Sequence, residues 1–373
     1  MKDKIFVVAS YADSLINFRL QLMQEFLKRD FEVVALAPHD LDVKKILETK
    51  NIRFIDIPLQ RNGTNPLKDI KLLIALRNIF RKEKPSIVFS YTIKPVVYAS
   101  LAAQLAGISQ IYSLMTGTGY AFSNHNLKSK LIGKIARKLL KTALSQNTKV
   151  FFQNPDNLAF FIKENLITSQ KPVAIFNGSG VDCQAFYPAP QPADVSFLMI
   201  ARLLYCKGVC EYVSAAAKLK KQYPHVRFKL VGWRDTNPES VSQQELDNWI
   251  KQGDIEFLGK LSDVRDSIAD SSVYVLPSWN EGMPRTVLEA MAMGKPIITT
   301  DTPGCKETVI PSKNGFLIPV QNVDALYKAM AYFILHPEKI SGMGEVSRQV
   351  AVEKYDVNKV NRSMLEAMGI RVA

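Results

Sequence analysis

At 373 residues, 47% of them hydrophobic, the chain exceeds what one hydrophobic core usually serves, so two domains are expected. Its formal charge of +13 is unevenly spread: residues 1–180 hold 26 Lys and Arg against 13 Asp and Glu, whereas residues 181–373 hold 22 of each. The basic half carries no zinc-finger, RRM-like or other nucleic-acid module, which points away from nucleic acid and towards an anionic membrane surface or a lipid diphosphate lying in it. The longest nearly uncharged stretch, Pro95 to Tyr120, is broken by Gln104, Gly107, Ser109 and Gln110 and does not read as a span of about 20 apolar residues. With no signal-peptide shape at the N-terminus, a cytoplasmic protein, peripheral at most, is expected. Cys183, Cys206, Cys210 and Cys305 lack metal-site spacing and read as reduced thiols, and the four histidines do not cluster, so no metal site is expected.

In chain order, short β-rich runs alternate with longer helical patterns. Strands are expected at Ile5–Ala9, Glu32–Ala37, Ile52–Ile57, Ile87–Ser90, Gln110–Leu114, Val150–Gln153 and Val173–Phe176, with helices at Leu15–Arg29, Leu67–Lys82, Lys94–Leu105 and Leu127–Leu144. Asp40-Leu-Asp42 lies where a helix starts, so its acids read as capping groups rather than a metal motif. The stretch Leu127 to Lys141 projects Leu127, Leu131, Ile132, Ile135 and Leu139 to one side and Lys130, Lys134, Arg137, Lys138 and Lys141 to another, as an interfacial helix would. Asn177-Gly-Ser-Gly-Val-Asp182 and the Pro-rich Pro188–Pro192 interrupt the alternation and place a hinge. A second series of strands follows at Ser196–Ile200, Arg227–Val231, Ile255–Phe257, Val273–Leu276, Ile297–Thr299 and Phe316–Pro319. Such alternation implies α/β architecture, two doubly wound parallel sheets facing a cleft. The expected domains are 1–176, joined by a last helix near 356–373, and 177–355.

The chemistry concentrates in the second series. Glu281 lies in a turn after the run Val273–Leu276, and Glu289 lies about two turns into the helix that Pro284 can open. Upstream, Arg202 and Lys207 flank the strand-to-helix loop of Met199-Ile-Ala-Arg202-Leu-Leu-Tyr-Cys-Lys207-Gly208. Cations placed on a leaving diphosphate stabilise the transition state, where charge accumulates, more than the ground state. Fixed carboxylates accept sugar hydroxyls. The loop after the first strand, Ala12 to Asn17, has no glycine, which argues against a G-x-G-x-x-G nicotinamide site.

These segments, with Leu230-Val-Gly-Trp-Arg-Asp235, Phe257-Leu-Gly259 and Thr302-Pro-Gly304-Cys-Lys-Glu307, resemble the retaining glycosyltransferases of family four (GT4), which have the two-domain GT-B fold. Within that family the chain looks most like bacterial undecaprenyl-diphosphate-linked N-acetylgalactosaminyltransferases. The likeness spans nearly the whole chain, and its weaker N-terminal part is Ser14-Leu-Ile-Asn-Phe-Arg19 and Thr116-Gly-Thr-Gly-Tyr120. The resemblance implies that Arg202 and Lys207 bind a donor diphosphate, that Glu289 accepts ribose hydroxyls, and that Glu281 contacts the transferred sugar. It also implies that Gly282, Met283 and Pro284 present backbone at a helix start, and that Gly259 to Leu261 meet a uracil edge. Ser14, Asn17, Thr116, Gly117, Thr118 and Gly119 become acceptor or phosphate-loop candidates, and Arg61, Lys94 and Tyr120 further acceptor contacts.

The implied activity is metal-independent, retaining transfer of an N-acetylhexosamine, with N-acetylgalactosamine favoured, from a UDP-sugar to an undecaprenyl-diphosphate-linked sugar at the inner face of a bacterial membrane. The UDP-sugar is a co-substrate and no cofactor is expected. Same-face attack, in which the departing phosphate helps remove the acceptor proton, requires no protein nucleophile. Two other readings fit the residues: a UDP-sugar epimerase of the same fold, and a noncatalytic nucleotide-sugar-binding membrane scaffold.

Overall fold

The computed structural model describes residues 2–60, 65–117, 127–235 and 237–371, with side chains of the helix at 127–145 described from residue 133 onward. It divides into two compact units, residues 1–179 with 361–373 and residues 180–360.

In the first unit the described strands are β1 (Lys4–Val8), β2 (Glu32–Ala37), β3 (Arg53–Asp56), β4 (Ile87–Tyr91), β5 (Gln110–Met115), β6 (Lys149–Phe152) and β7 (Val173–Ile175). They form one parallel sheet in the order β3-β2-β1-β4-β5-β6-β7. The intervening helices are α1 (Leu20–Leu27), α2 (Leu41–Glu48), α3 (Pro66–Glu83), α4 (Ile93–Leu105), α5 (Leu127–Ser145) and α6 (Pro155–Lys163). Both faces of β1, β2, β4, β5 and β6 are largely buried, which is why these strands read as apolar runs rather than alternations, whereas the edge strands β3 and β7 are more exposed. The expected first helix is split, a π-helical turn at Leu15–Arg19 preceding α1. Asp40 caps α2 by accepting from the Val43 amide at 3.0 Å, the role its position predicts.

The second unit holds β8 (Ser196–Ile200), β9 (Arg227–Val231), β10 (Glu256–Gly259), β11 (Val273–Leu276), β12 (Ile297–Thr300) and β13 (Gly315–Ile318), again parallel, in the order β10-β9-β8-β11-β12-β13. Its helices are α7 (Val209–Gln222), α8 (Gln243–Gln252), α9 (Arg265–Ala269), α10 (Arg285–Ala292), α11 (Val323–Leu335) and α12 (Lys339–Val350). The last helix, α13 (Val357–Ala367), begins in this unit and ends in the first. There the Met368 carbonyl accepts from the Tyr112 hydroxyl at 2.9 Å and the Ala367 carbonyl from Lys149 Nζ at 2.8 Å. The two units are thus doubly wound Rossmann-like domains, with the C-terminal helix returning to the first.

In both sheets the strand order reverses between the first and fourth strands. Ligands of open parallel sheets bind at the carboxyl ends of the strands flanking such a reversal. The places to examine are therefore the loops after β8 and β11, and those after β1 and β4. Among the described residues, no helix is long and apolar enough to cross a membrane.

Candidate active site

The turn from β8 into α7 and the loop from β11 into α10 are pressed together. Gly208 has φ +74°, and a β-carbon there would lie 2.1 Å from the Pro277 carbonyl oxygen, so the approach demands glycine. The Cys206 carbonyl accepts from the Trp279 amide at 2.9 Å and from Ser278 Oγ at 3.2 Å, and Trp279 Nε1 donates to the buried Glu211 at 3.0 Å. From the far side, a β-carbon on Gly304 would come within 2.5 Å of the Glu281 carbonyl and 2.6 Å of the Gly282 carbonyl. The loop carrying Glu281 is therefore held between the β8–α7 turn and the segment after β12.

This scaffold places Lys207 Nζ 2.5 Å from Glu281 Oε1, with less than a fifth of either side chain exposed. Arg202, at the mouth of the same turn, pairs with Asp235 Oδ2 at 2.8 Å. The loop bearing Asp235 is clipped down by hydrogen bonds from Leu203 N to the Trp233 carbonyl and from Val241 N to the Leu203 carbonyl. Each predicted cation is thus held by a carboxylate at the strand reversal. Asp235 was within reach of sequence reading as part of Leu230–Asp235, but nothing local marks it as the partner of a residue 33 positions upstream.

Glu289 is buried, and α10 starts at Arg285, so it lies just over one turn into the helix rather than two. Burial pushes its carboxyl above the ordinary 4.5, against the pull of Arg285, whose Nε lies 2.8 Å from Oε1. Pro284 carries no amide hydrogen, so of the three residues expected to present backbone only Gly282 and Met283 have an N–H to offer. Pro284 instead sets the entry to α10, whose N-terminus has no side-chain cap. On the other flank of β8, Gly259 has φ +68°, and its carbonyl accepts from Gly232 N at 2.9 Å. Leu261 follows, packed against the core. Burial raises the Cys206 thiol despite neighbouring Lys207.

At the reversal of the first sheet, Ser14 is buried and already engaged. Its hydroxyl lies 2.7 Å from Tyr91 OH and 2.5 Å from the Tyr11 carbonyl. Burial pushes the Tyr91 phenol up to about 12, so it stays neutral and can donate to Ser14 while Ser14 donates to the carbonyl. Arg19, buried, stacks 5.0 Å from the centre of the same ring. Thr92, the residue after β4, holds φ +66° and ψ 155°, a strained conformation for a β-branched residue, with its hydroxyl 3.0 Å from Ser10 Oγ. Sequence reading missed Ser10, Tyr91 and Thr92. Asn17 is exposed in the π-helical turn, and Thr116 and Gly117 follow β5, half-buried. Thr118, Gly119, Arg61, Tyr120 and the Lys130 side chain lie outside the described residues. Lys94 is committed to Asp69 at 2.9 Å.

The basic helix α5 packs differently from its projection. It buries Gly133, Leu140, Ala143 and Leu144, leaving Ile135 exposed beside Lys134, Lys138 and Lys141, while Arg137 pairs with Glu164.

Two parallel Rossmann-like domains are the architecture of GT-B glycosyltransferases, and the solved structures agree on the fold. Anabaena HepE in complex with UDP and glucose matches with TM-score 0.79 at 17% identity, covering 98% of this chain and 99% of that one. Sucrose-phosphate synthase of Thermosynechococcus elongatus matches with TM-score 0.80 at 18% identity, covering 98% of each. The family model described as glycosyl transferase 4-like matches residues 5–154, and that of glycosyl transferases group 1 matches residues 194–336. The chain belongs to the GT4 glycosyltransferases. It is 26% identical, over 95% of both sequences, to the N,N'-diacetylbacillosaminyl-diphospho-undecaprenol α-1,3-N-acetylgalactosaminyltransferase of Campylobacter jejuni. It is 28% identical, over 75% of its length and 74% of the other's, to the UDP-Gal:α-D-GlcNAc-diphosphoundecaprenol α-1,3-galactosyltransferase of Escherichia coli.

Proposed function

We propose that the chain transfers an N-acetylhexosamine, N-acetylgalactosamine in the favoured case, from a UDP-sugar to a sugar carried on undecaprenyl diphosphate, with retention of configuration and without a metal ion. The observation that carries this reading is the Lys207–Glu281 pair, held at the strand reversal by the Gly208–Pro277 contact. Likeness to the two undecaprenyl-linked transferases supports the acceptor class.

Before donor binds, Glu281 and Asp235 neutralise Lys207 and Arg202 and keep both cations extended towards the strand ends. An incoming diphosphate, more highly charged than either carboxylate, draws the two cations onto its oxygens. Glu281 is then released to accept hydroxyls of the transferred sugar. As the sugar–phosphate bond breaks, charge builds on the diphosphate, and the cations stabilise that state more than the ground state. Acceptor attack on the face the phosphate leaves passes its proton to the departing oxygen, so no side chain becomes covalently attached. Glu289, fixed in α10, accepts the ribose hydroxyls, and Gly259 with Leu261 meets the uracil edge.

Mass spectrometry of the lipid product, after incubation with a panel of UDP-sugars and defined undecaprenyl-diphosphate acceptors, tests this reading. A mass gain of one N-acetylhexosamine, unaffected by EDTA and α-configured by NMR, is expected. Turnover of the UDP-sugar with no change in the lipid would reject it.

A further inference from the structure

Helix α3 leaves a line of large apolar side chains in solvent. Leu67, Ile70 and Ile74 are 78%, 53% and 52% exposed, while Leu72, Leu76 and Phe80 on the opposite side are buried. At 100° per residue the three exposed residues fall within about 60° of one another, a continuous stripe rather than scattered positions. The charges around them are sorted. Arg81 lies within the stripe sector and Lys71 and Lys82 flank it, all three exposed. Both acids of the helix are held elsewhere: Asp69 pairs with Lys94 at 2.9 Å, and Glu83 with Lys4 at 2.9 Å and Arg53 at 2.6 Å.

Neighbouring helices continue the surface. The chain crosses from β3 back to β4 through α3, then moves outward through α4 and α5, and right-handed crossovers put all three on one face of the sheet. Contacts of α3 with α4 and of α4 with α5 agree. At the far end α5 offers exposed Ile135 with Lys134, Lys138 and Lys141.

The geometry points to the α3–α4–α5 face as the surface that docks the protein onto an anionic lipid bilayer, Leu67, Ile70 and Ile74 entering the headgroup–acyl boundary while the flanking cations meet lipid phosphates. A bilayer is chosen over a protein partner by the charge sorting. An outward sector of apolar residues ringed only by cations, with every acid of the helix turned to a neighbour, complements a surface of one sign that has an apolar interior. This rests on the proposed function only in supplying a reason for the lipid acceptor to be met at the membrane. Vesicle binding is measured without donor or acceptor, so either reading can fail alone.

Flotation with phosphatidylcholine vesicles, with and without phosphatidylglycerol, tests it. The wild-type protein should float with the anionic vesicles, and the combined Leu67→Ser, Ile70→Ser, Ile74→Ser variant should lose at least about tenfold in partitioning, about 1.4 kcal/mol. Lys71→Gln with Arg81→Gln and Lys82→Gln should weaken the preference for anionic vesicles and its salt sensitivity, the α5 cations keeping the remainder. Leu335→Ser, an equally exposed apolar site in the second unit, should bind as wild type. All variants alter solvent-exposed residues, so unchanged thermal unfolding and unchanged transfer to a short-chain water-soluble acceptor are expected. Failure of the wild type to float, or equal flotation of the serine variant, overturns the proposal. So does wild-type self-association that the serine variant abolishes, since the stripe then belongs to a second copy.

Discussion

Removing Lys207 separates a structural ion pair from a catalytic cation. In Lys207→Met the Glu281 carboxylate, mostly shielded from water, loses its partner at 2.5 Å. Exposed pairs contribute about 0–1 kcal/mol and breaking fully buried ones costs about 3–5, so for this site about 1–2 kcal/mol of stability should be lost. That corresponds to a fall in Tm of roughly 2–8 °C. Independently, loss of a charge-assisted contact to the diphosphate, about 1.5–3 kcal/mol, should lower kcat/KM by roughly 13- to 160-fold. The two effects part in the double variant Lys207→Met, Glu281→Gln. With no charge left uncompensated, Tm should return to within about 2 °C of wild type. Activity should fall further if Glu281 takes its proposed place on the transferred sugar, because that carboxylate has gone as well. Thermal unfolding followed by circular dichroism and a radiolabelled UDP-sugar transfer assay on the same preparations supply both numbers. Recovery of activity together with stability would refute the reasoning, since the pair would then matter only for folding.

Other outcomes follow from the same geometry. Burial raises Glu289, and its proposed role as acceptor of the ribose hydroxyls needs the ionised form, so on that proposal UDP affinity should fall as pH drops through a midpoint above 4.5; calorimetry should show the effect lost in Glu289→Gln. Gly208→Ala forces a β-carbon against the Pro277 carbonyl at φ +74° and should cost more than about 3 kcal/mol in urea unfolding, with activity lost in whatever fraction folds. Lys295 is buried beside Lys229, and burial lowers it to about 8. Its unfolded form holds the proton more tightly, so the stability difference between wild type and Lys295→Met should shift in favour of wild type as pH rises from about 8 towards 10.5. Urea midpoints of the two proteins across that range provide the check. Arg202→Ala should reduce kcat/KM by roughly 13- to 160-fold with a smaller loss of stability than Lys207→Met, because the Arg202–Asp235 pair is the more exposed of the two.

The sheets were readable because strands buried on both faces must be apolar throughout, and such runs announce themselves without partners. Helix starts were readable where a local cap exists, as at Asp40. Helix α6 went unread although Asn154 caps it, through a hydrogen bond to the Asn157 amide at 2.8 Å. On α5, projection gathers Ile135 with the other apolar residues, yet the side that packs with Val96 and Val97 of α4 bears Leu140, Ala143 and Leu144. In the site, the cations and carboxylates were legible as residue types at a characteristic spacing. Their supports were not: Asp235 meets Arg202, and Glu211 meets Trp279 of the Glu281 loop, only through the sheet topology. Thr92 and Tyr91 carry no sequence signal, because a strained φ and a neutral buried phenol arise from neighbours far along the chain.

The central claim is that a donor diphosphate sits at the carboxyl ends of β8 and β11. A crystal structure of the protein with bound UDP tests it most directly. The account predicts the β-phosphate within 2.7–3.2 Å of Arg202 and Lys207, with Lys207 withdrawn from Glu281 and the ribose hydroxyls on Glu289. Nucleotide bound away from these residues, with the Lys207–Glu281 pair intact, would contradict it.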